Sequence, residues 1–390
     1  MVQENKCNMP PMETPEYNFS IPIENAIIGF SLETKRTSKD GEMIQIAVRE
    51  FLRDSDGELF YACLDQISGL FLRDWMIKES RSESTINNCL IFLYNNVANI
   101  YINIPTVMNI IAKRRLESGC AIIKDDIADI RQIDFPGIKM ESDCGIIYIF
   151  SNGWRRGLYF DLIPIQQSKK QHDPVDLKTL FASLHSYLIF PEVHELDPTI
   201  KKQLIKSGWF PFIRILGKPF EKIHQAIKYE FPIVDVSLEV IDTFKDEAIK
   251  DMVDAWMNKE ILKKHETVIR RGIERFIDGD YISSIHVLFP RIEGIMRYIY
   301  LGEKIIPNSN RLVDKLTSVS QGRSENSSLF LPEDFNEYLK QFYFSSFDLE
   351  TGKIDLSRHS CAHGVAREDD FNKVKAFQAI LILDQISFYV

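Results

Sequence analysis

The chain has little of what marks the commonest catalytic families. None of its six cysteines (Cys7, Cys63, Cys89, Cys120, Cys144, Cys361) forms a C-x-x-C pair, which argues against both a thiolate zinc site and a disulfide framework. A reducing, cytoplasmic setting is expected. The glycine-rich fingerprints of dinucleotide and phosphate binding are missing, as are H-E-x-x-H and G-x-S-x-G. Gly217-Lys218 lacks the upstream glycine of a phosphate loop, and His265-Glu266 is followed by Ile269 where a zincin has its second histidine. His185, His194 and Glu195 are spaced too loosely to favour a metal site over ordinary core or surface histidines. No metal or other cofactor is therefore expected. Nor is there an excess of positive charge. The formal net charge is −9, so any nucleic-acid contact has to be local. The N-terminus has no apolar core followed by small residues, and a secretory signal is not expected there.

Between Ser84 and Ala112 there is no charged side chain at all, a length sufficient to cross a bilayer. The stretch is punctuated by asparagines and by Pro105, and unpaired amides are costly in hydrocarbon. Two buried segments of a soluble core are the expectation, with no membrane span.

Residues 1–20 read as a loose lead-in, and the short apolar runs from 21 to 52 fit strands or helices equally well. Leu59, Phe60, Cys63, Leu64, Ile67, Leu70, Phe71 and Trp75 recur every three or four positions and predict a helix with one buried face. CGIIYIFSNGWRRGLYFDLIPI contains two β-branched and aromatic runs joined at Asn152-Gly153, which predicts a tight hairpin near 145–165. A polar connector at 166–174 follows. Beyond it the pattern is helical, with segments near 176–190, 198–207, 217–229, 243–257, 259–277, 281–301 and 333–345 and a last helix to residue 390. Gly279 is placed to stop one long helix and Asp280 to cap the next. The expected fold is α+β and mostly helical, with a mixed region at 1–165, a helical connector region at 166–244 and a helical bundle at 245–390.

The informative stretch is LSRHSCAHGVAREDDFNKVKAFQAILILDQISFYV at 356–390. Arg358, a polar His359, three further residues, His363 and Gly364 stand at the head of an amphipathic helix. Upstream, GDYISSIHVLFPRIEGIMRYIYLGE carries Glu293 and, four residues on, Arg297. Residues four apart on a helix differ by about 40° and residues five apart by about 140°, so His359 and His363 share a face that Arg358 does not naturally join. A place for Arg358 at the helix start, or a second chain completing the site, would resolve this.

These features resemble the HEPN superfamily of helical-bundle ribonucleases and nucleotide-binding domains, whose signature is Arg, a polar residue and, after four to six intervening positions, His. The resemblance covers about 245–390 and implies a homodimer with paired motifs, RNA as the partner, and an antiviral or toxin-type effector. Chemically, imidazole can accept the ribose 2′-hydroxyl proton and guanidinium can hold a charged phosphate. The expected assignments are His363 for proton transfer, Arg358 for phosphate and transition-state charge, and His359 as auxiliary donor. Glu293 would orient Arg358, with Arg297 supporting. Arg367, Lys353, Arg270 and Arg271 are candidates for RNA binding. Each has a plainer reading. Arg358 and His363 could cap carbonyls or pair with Glu293 inside the bundle, Glu293 and Arg297 could be a simple i, i+4 pair, and Arg270-Arg271-Arg275 could be a solvated face. Trp154-Arg155-Arg156 after the hairpin turn could stack on a base or be structural. Two further readings are a non-catalytic module binding nucleotide, RNA or protein, and a metal-dependent nuclease using Glu24, Glu33 and Lys35. Residues 1–240 would sense a trigger or bind a regulatory partner.

Overall fold

The computed structural model describes residues 17–22, 40–41, 48–139, 144–166, 176–300, 307–321, 328–350, 352 and 355–390. Its fold is α+β and mostly helical. Glu24, Glu33, Lys35, Lys353 and the 167–174 part of the connector lie outside the described residues. Contacts divide the chain into two units: Met1–Asn109 with Arg131–Ile189, and Ile110–Ile130 with Phe190–Val390. The region anticipated as a connector therefore divides at Ile189, its first helix belonging to one unit and the rest to the other.

The first unit is built on an antiparallel sheet of six strands: β1 (Tyr17–Pro22), β2 (Arg49–Arg53), β3 (Asn88–Tyr94), β4 (Val97–Ile102), β7 (Gly145–Asn152) and β8 (Arg155–Asp161), in the order β1-β4-β3-β7-β8-β2. Two further strands, β5 (Val107–Ala112) and β6 (Ile127–Asp134), pair separately. One sheet face, with Ile91, Ile100, Ile147, Ile149, Leu158 and Phe160, packs with Phe60, Cys63, Leu64, Ile67 and Trp75 of α1 (Glu58–Ile67) and α2 (Arg73–Glu79), which a π turn at Ser68–Leu72 joins. The opposite face of β7 presents Tyr148 and Phe150 to Phe181 and His185 of α3 (Leu177–Ile189). A strand buried on both faces reads as a continuous apolar run rather than an alternation, which is why period-2 patterning is absent from β3 and β7.

The uncharged 84–112 stretch is three strands, not two undifferentiated segments. Asn95 and Asn96 take positive φ (48° and 59°) in a two-residue turn between β3 and β4, and Asn88 satisfies both backbone groups of Ile104 with bonds of 2.8 and 3.0 Å. The β7–β8 hairpin also sits one residue later than expected. Asn152 pairs with Arg155, and the turn is Gly153-Trp154, with positive φ (62°) at Gly153. No helix among the described residues is long and apolar enough to cross a membrane.

The second unit comprises α4 (Pro198–Ser207), α5 (Lys218–Lys228), α6 (Ile233–Asp242), α7 (Asp246–Trp256), α8 (Glu266–Ile277), α9 (Tyr281–Tyr298), α10 (Ser309–Gln321), α11 (Pro332–Tyr338, continued by a π turn to Tyr343), the short α12 (Arg358–Ala362) and α13 (Lys373–Tyr389). As expected, Gly279 (φ 80°) ends α8 and the Asp280 carboxylate accepts from the Ser283 N–H at 3.0 Å. The expected 259–277 helix is broken, because Glu260–Lys263 is a separate turn and His265 precedes α8.

Helix α13 is not amphipathic: it is buried on all sides from Ala376 to Ser387 and forms the axis of the unit. Most of its buried polar side chains find partners, Asp384 and Gln385 above all. Asp384 accepts from Arg214 through two bonds (2.8 and 3.0 Å) and from the Trp256 indole at 2.8 Å, while Gln385 accepts from the Ile213 N–H and donates to the Phe330 carbonyl. Gly208 (φ 80°) caps α4 where a Cβ would come within 2.4 Å of Gln378 and 2.6 Å of Phe342, so this turn can approach α13 only as glycine. The 110–130 segment joins the unit through polar anchors. Lys113 donates to the Leu216 carbonyl at 2.6 Å, and Asp129 accepts from the Ser328 hydroxyl and the Leu329 N–H at 2.7 and 3.0 Å. Burial of Lys113 lowers its pKa to about 8.

Candidate active site

The 356–390 stretch is two helices rather than one. A capping box of Ser357 and Ser360 starts α12 at Arg358, and Gly364 in the left-handed region (φ 68°) ends it before α13 begins. The Ser360 hydroxyl, wholly buried, also donates to the Asp355 carbonyl at 2.8 Å. Arg358 is thus the first helical residue. His359 lies in the first turn, and His363 closes the helix with its N–H on the His359 carbonyl at 3.0 Å.

Glu293 comes from the middle of α9. Pro290 inside that helix has no N–H, and the backbone there is completed by a side chain. The Tyr343 hydroxyl donates to the Phe289 carbonyl at 2.5 Å and accepts from the Glu293 N–H at 3.1 Å, bridging a donor and acceptor that a regular helix joins directly. Burial, and then the Glu293 charge, hold the Tyr343 phenol well above its ordinary pKa, so it stays a neutral bridge.

The Glu293 carboxylate, its side chain 9% exposed, serves two guanidiniums. One oxygen accepts from Arg297 Nε at 2.9 Å and Nη2 at 2.5 Å, and the other pairs with Arg358 Nε. Arg297 is held further by the Pro307 carbonyl at 3.2 Å. The geometry thus brings together Arg358, Glu293 and Arg297, as both the catalytic and the plainer reading anticipate. With one carboxylate between two guanidiniums, the cluster carries net positive charge.

The imidazoles differ. His359 is half-buried, 6.1 Å from the Phe344 ring, and its pKa is lowered, first by desolvation and then by the Arg358 charge, with Glu293 opposing. It is therefore held neutral and able to accept a proton. His363 is exposed, 5.7 Å from the Phe347 ring. Behind the turn, the buried Cys361 thiol lies 3.3 Å from His286 Nδ1, and His286 stacks on Phe371 at 4.9 Å.

Arg367 is exposed and begins a run continued by Glu368, Asp369 and Asp370. Arg270 pairs with Asp254 (2.8 Å) and Glu266 (2.9 Å), Arg271 with Glu274 (2.7 Å) and Arg275 with Asp278 (3.2 Å). That face of α8 is therefore one of balanced charge. His185 is a core residue: its Nε2 lies 3.0 Å from the Tyr148 hydroxyl and its ring stacks on Phe150 at 4.5 Å. Among the described residues no three His, Cys, Asp or Glu side chains gather as for a metal. Sequence reasoning missed Tyr343, and the only signal for it was Pro290, whose place in a helix requires some compensation.

Compared with protein-family models, curated proteins and solved structures, the chain matches none of them.

Proposed function

We propose that this chain is a metal-independent endoribonuclease. The observation that carries the reading is that Glu293, buried and braced by Tyr343 and Arg297, holds Arg358 at the head of a surface turn that also bears His359 and His363. Nε of Arg358 is engaged by Glu293, so the two Nη groups are the ones that meet a phosphate. A neutral imidazole takes the ribose 2′-hydroxyl proton, the 2′-oxygen attacks phosphorus, and the 5′-oxygen leaves with a proton. The products are a 2′,3′-cyclic phosphate and a free 5′-hydroxyl. His363 carries proton transfer, and His359 assists. The resemblance to the HEPN superfamily adds a dimer with facing motifs, a role in antiviral defence or as a toxin, and a regulatory part for the first unit.

His363→Ala lowers cleavage of a labelled RNA by at least about 100-fold, the usual scale of general acid–base catalysis, and chelators leave the parent rate unchanged. Arg358→Ala does the same through lost charge stabilisation. Full cleavage in His363→Ala would overturn the assignment. Labelled RNA or nucleotide retained by the parent without fragments would replace catalysis by a binding role.

A further inference from the structure

We propose that the tip of the β7–β8 hairpin is a contact for single-stranded nucleic acid, with Trp154 stacking on a base and Arg155 and Arg156 holding the flanking phosphates. Trp154 is 80% exposed, whereas the chain's other three tryptophans, Trp75, Trp209 and Trp256, are at most 7% exposed. A π surface of that size held in water is a binding surface in waiting, since base–aromatic stacking contributes about 1–3 kcal/mol per base.

The platform is stiff. The two-residue turn is fixed by Gly153, and Gly157 lies against the Phe150 ring so closely that a Cβ would come within 2.6 Å of it. The Arg155 guanidinium stands 5.1 Å from the Trp154 ring and is tethered to the Leu188 carbonyl at 3.3 Å. It lies over the indole that a base would share.

Charge decides the kind of partner. The arginines of α8 each meet a carboxylate, but among the described residues neither Arg155 nor Arg156 is in an ion pair. The tip, Ser151 to Arg156, has no acidic residue, and its neighbours Asn87 and Asn152 offer exposed amides. Unbalanced guanidiniums beside an exposed indole match a polyanion whose units carry π faces. The contact does not depend on cleavage, so it stands or falls apart from the ribonuclease reading.

The test uses the full chain carrying His363→Ala, so that RNA stays intact, with oligo(U) and oligo(dT) as probes. Because Trp154 is the exposed tryptophan, either oligomer should shield its emission from acrylamide. By fluorescence polarisation, Trp154→Ala should weaken binding about tenfold, Trp154→Phe should retain most of it, and Arg156→Ala should lower the salt slope by about one. Preference for oligo(U) assigns the site to RNA, and equal binding assigns it to single strands of either sugar. Unchanged affinity in Trp154→Ala, undiminished acrylamide quenching at saturating oligomer, or no binding of either oligomer overturns the proposal.

Discussion

Two of the guanidinium–carboxylate centres in the helical unit differ in what surrounds them. Arg214 and Asp384 are sealed, with side chains 12% and 1% exposed, and the Trp256 indole and the Lys113 carbonyl bond to the pair as well. Arg358 and Glu293 are half open, at 30% and 9%, and the guanidinium spends only Nε on its partner among the described residues. The same pair of groups therefore acts as a structural anchor where each guanidinium nitrogen is engaged internally. Where the fork is left incomplete, as at Arg358, charge is left facing solvent, and under the proposed function that charge meets the phosphate. The first centre should govern stability and the second activity, and substitutions can be ranked by how far they would upset that division.

The largest effect is expected at the sealed centre. Asp384→Ala strands the Arg214 charge in the interior and should cost about 3–5 kcal/mol in chemical denaturation of the full chain. A loss under 1 kcal/mol would break the comparison. A pH scan makes the next test. His185, sealed in the first unit, has its pKa lowered to about 3 by burial, whereas the unfolded imidazole titrates near 6.5. The unfolded chain thus binds the proton first. Stability is complete above pH 6.5 and falls as the pH drops toward 3, by about 2 kcal/mol between 6.5 and 5, before carboxylates contribute. His185→Leu should flatten that window, although it leaves the Tyr148 hydroxyl without its partner.

Smaller losses belong to the open centre. Glu293→Gln should reduce stability by about 1 kcal/mol, because both arginines remain partly hydrated, while lowering RNA cleavage at least tenfold as Arg358 loses its orientation. Smallest of all, His363→Ala should shift unfolding by no more than about 0.5 kcal/mol, as befits an exposed side chain, so that its effect on cleavage is separable from folding.

Much of the fold was legible where signals are local. The α9 cap, the helices at 198–207 and 218–228 and the β7–β8 hairpin follow from caps, periodicity and turn residues. The β3–β4 hairpin was not read, because β3, buried on both faces, loses its alternation and the turn carries Asn-Asn instead of a glycine. Nor was α10, whose polar composition hides a narrow apolar stripe of Leu312, Val313 and Leu316. In the candidate site, Arg358, Glu293 and the two histidines were legible from spacing and resemblance. The Arg214–Asp384 anchor was not, since 170 residues separate its partners and no local pattern links them.

The phenol seated in α9 has a consequence for how the molecule opens. Because the Tyr343 oxygen completes the hydrogen bonding between Phe289 and Glu293, the 281–298 and 332–343 elements share one bonded ring. Neither can fray at that level without exposing the other, so the Glu293 amide should exchange with solvent only in openings that also undock Tyr343. The carboxylate that orients Arg358 thus inherits the lifetime of two helices rather than one.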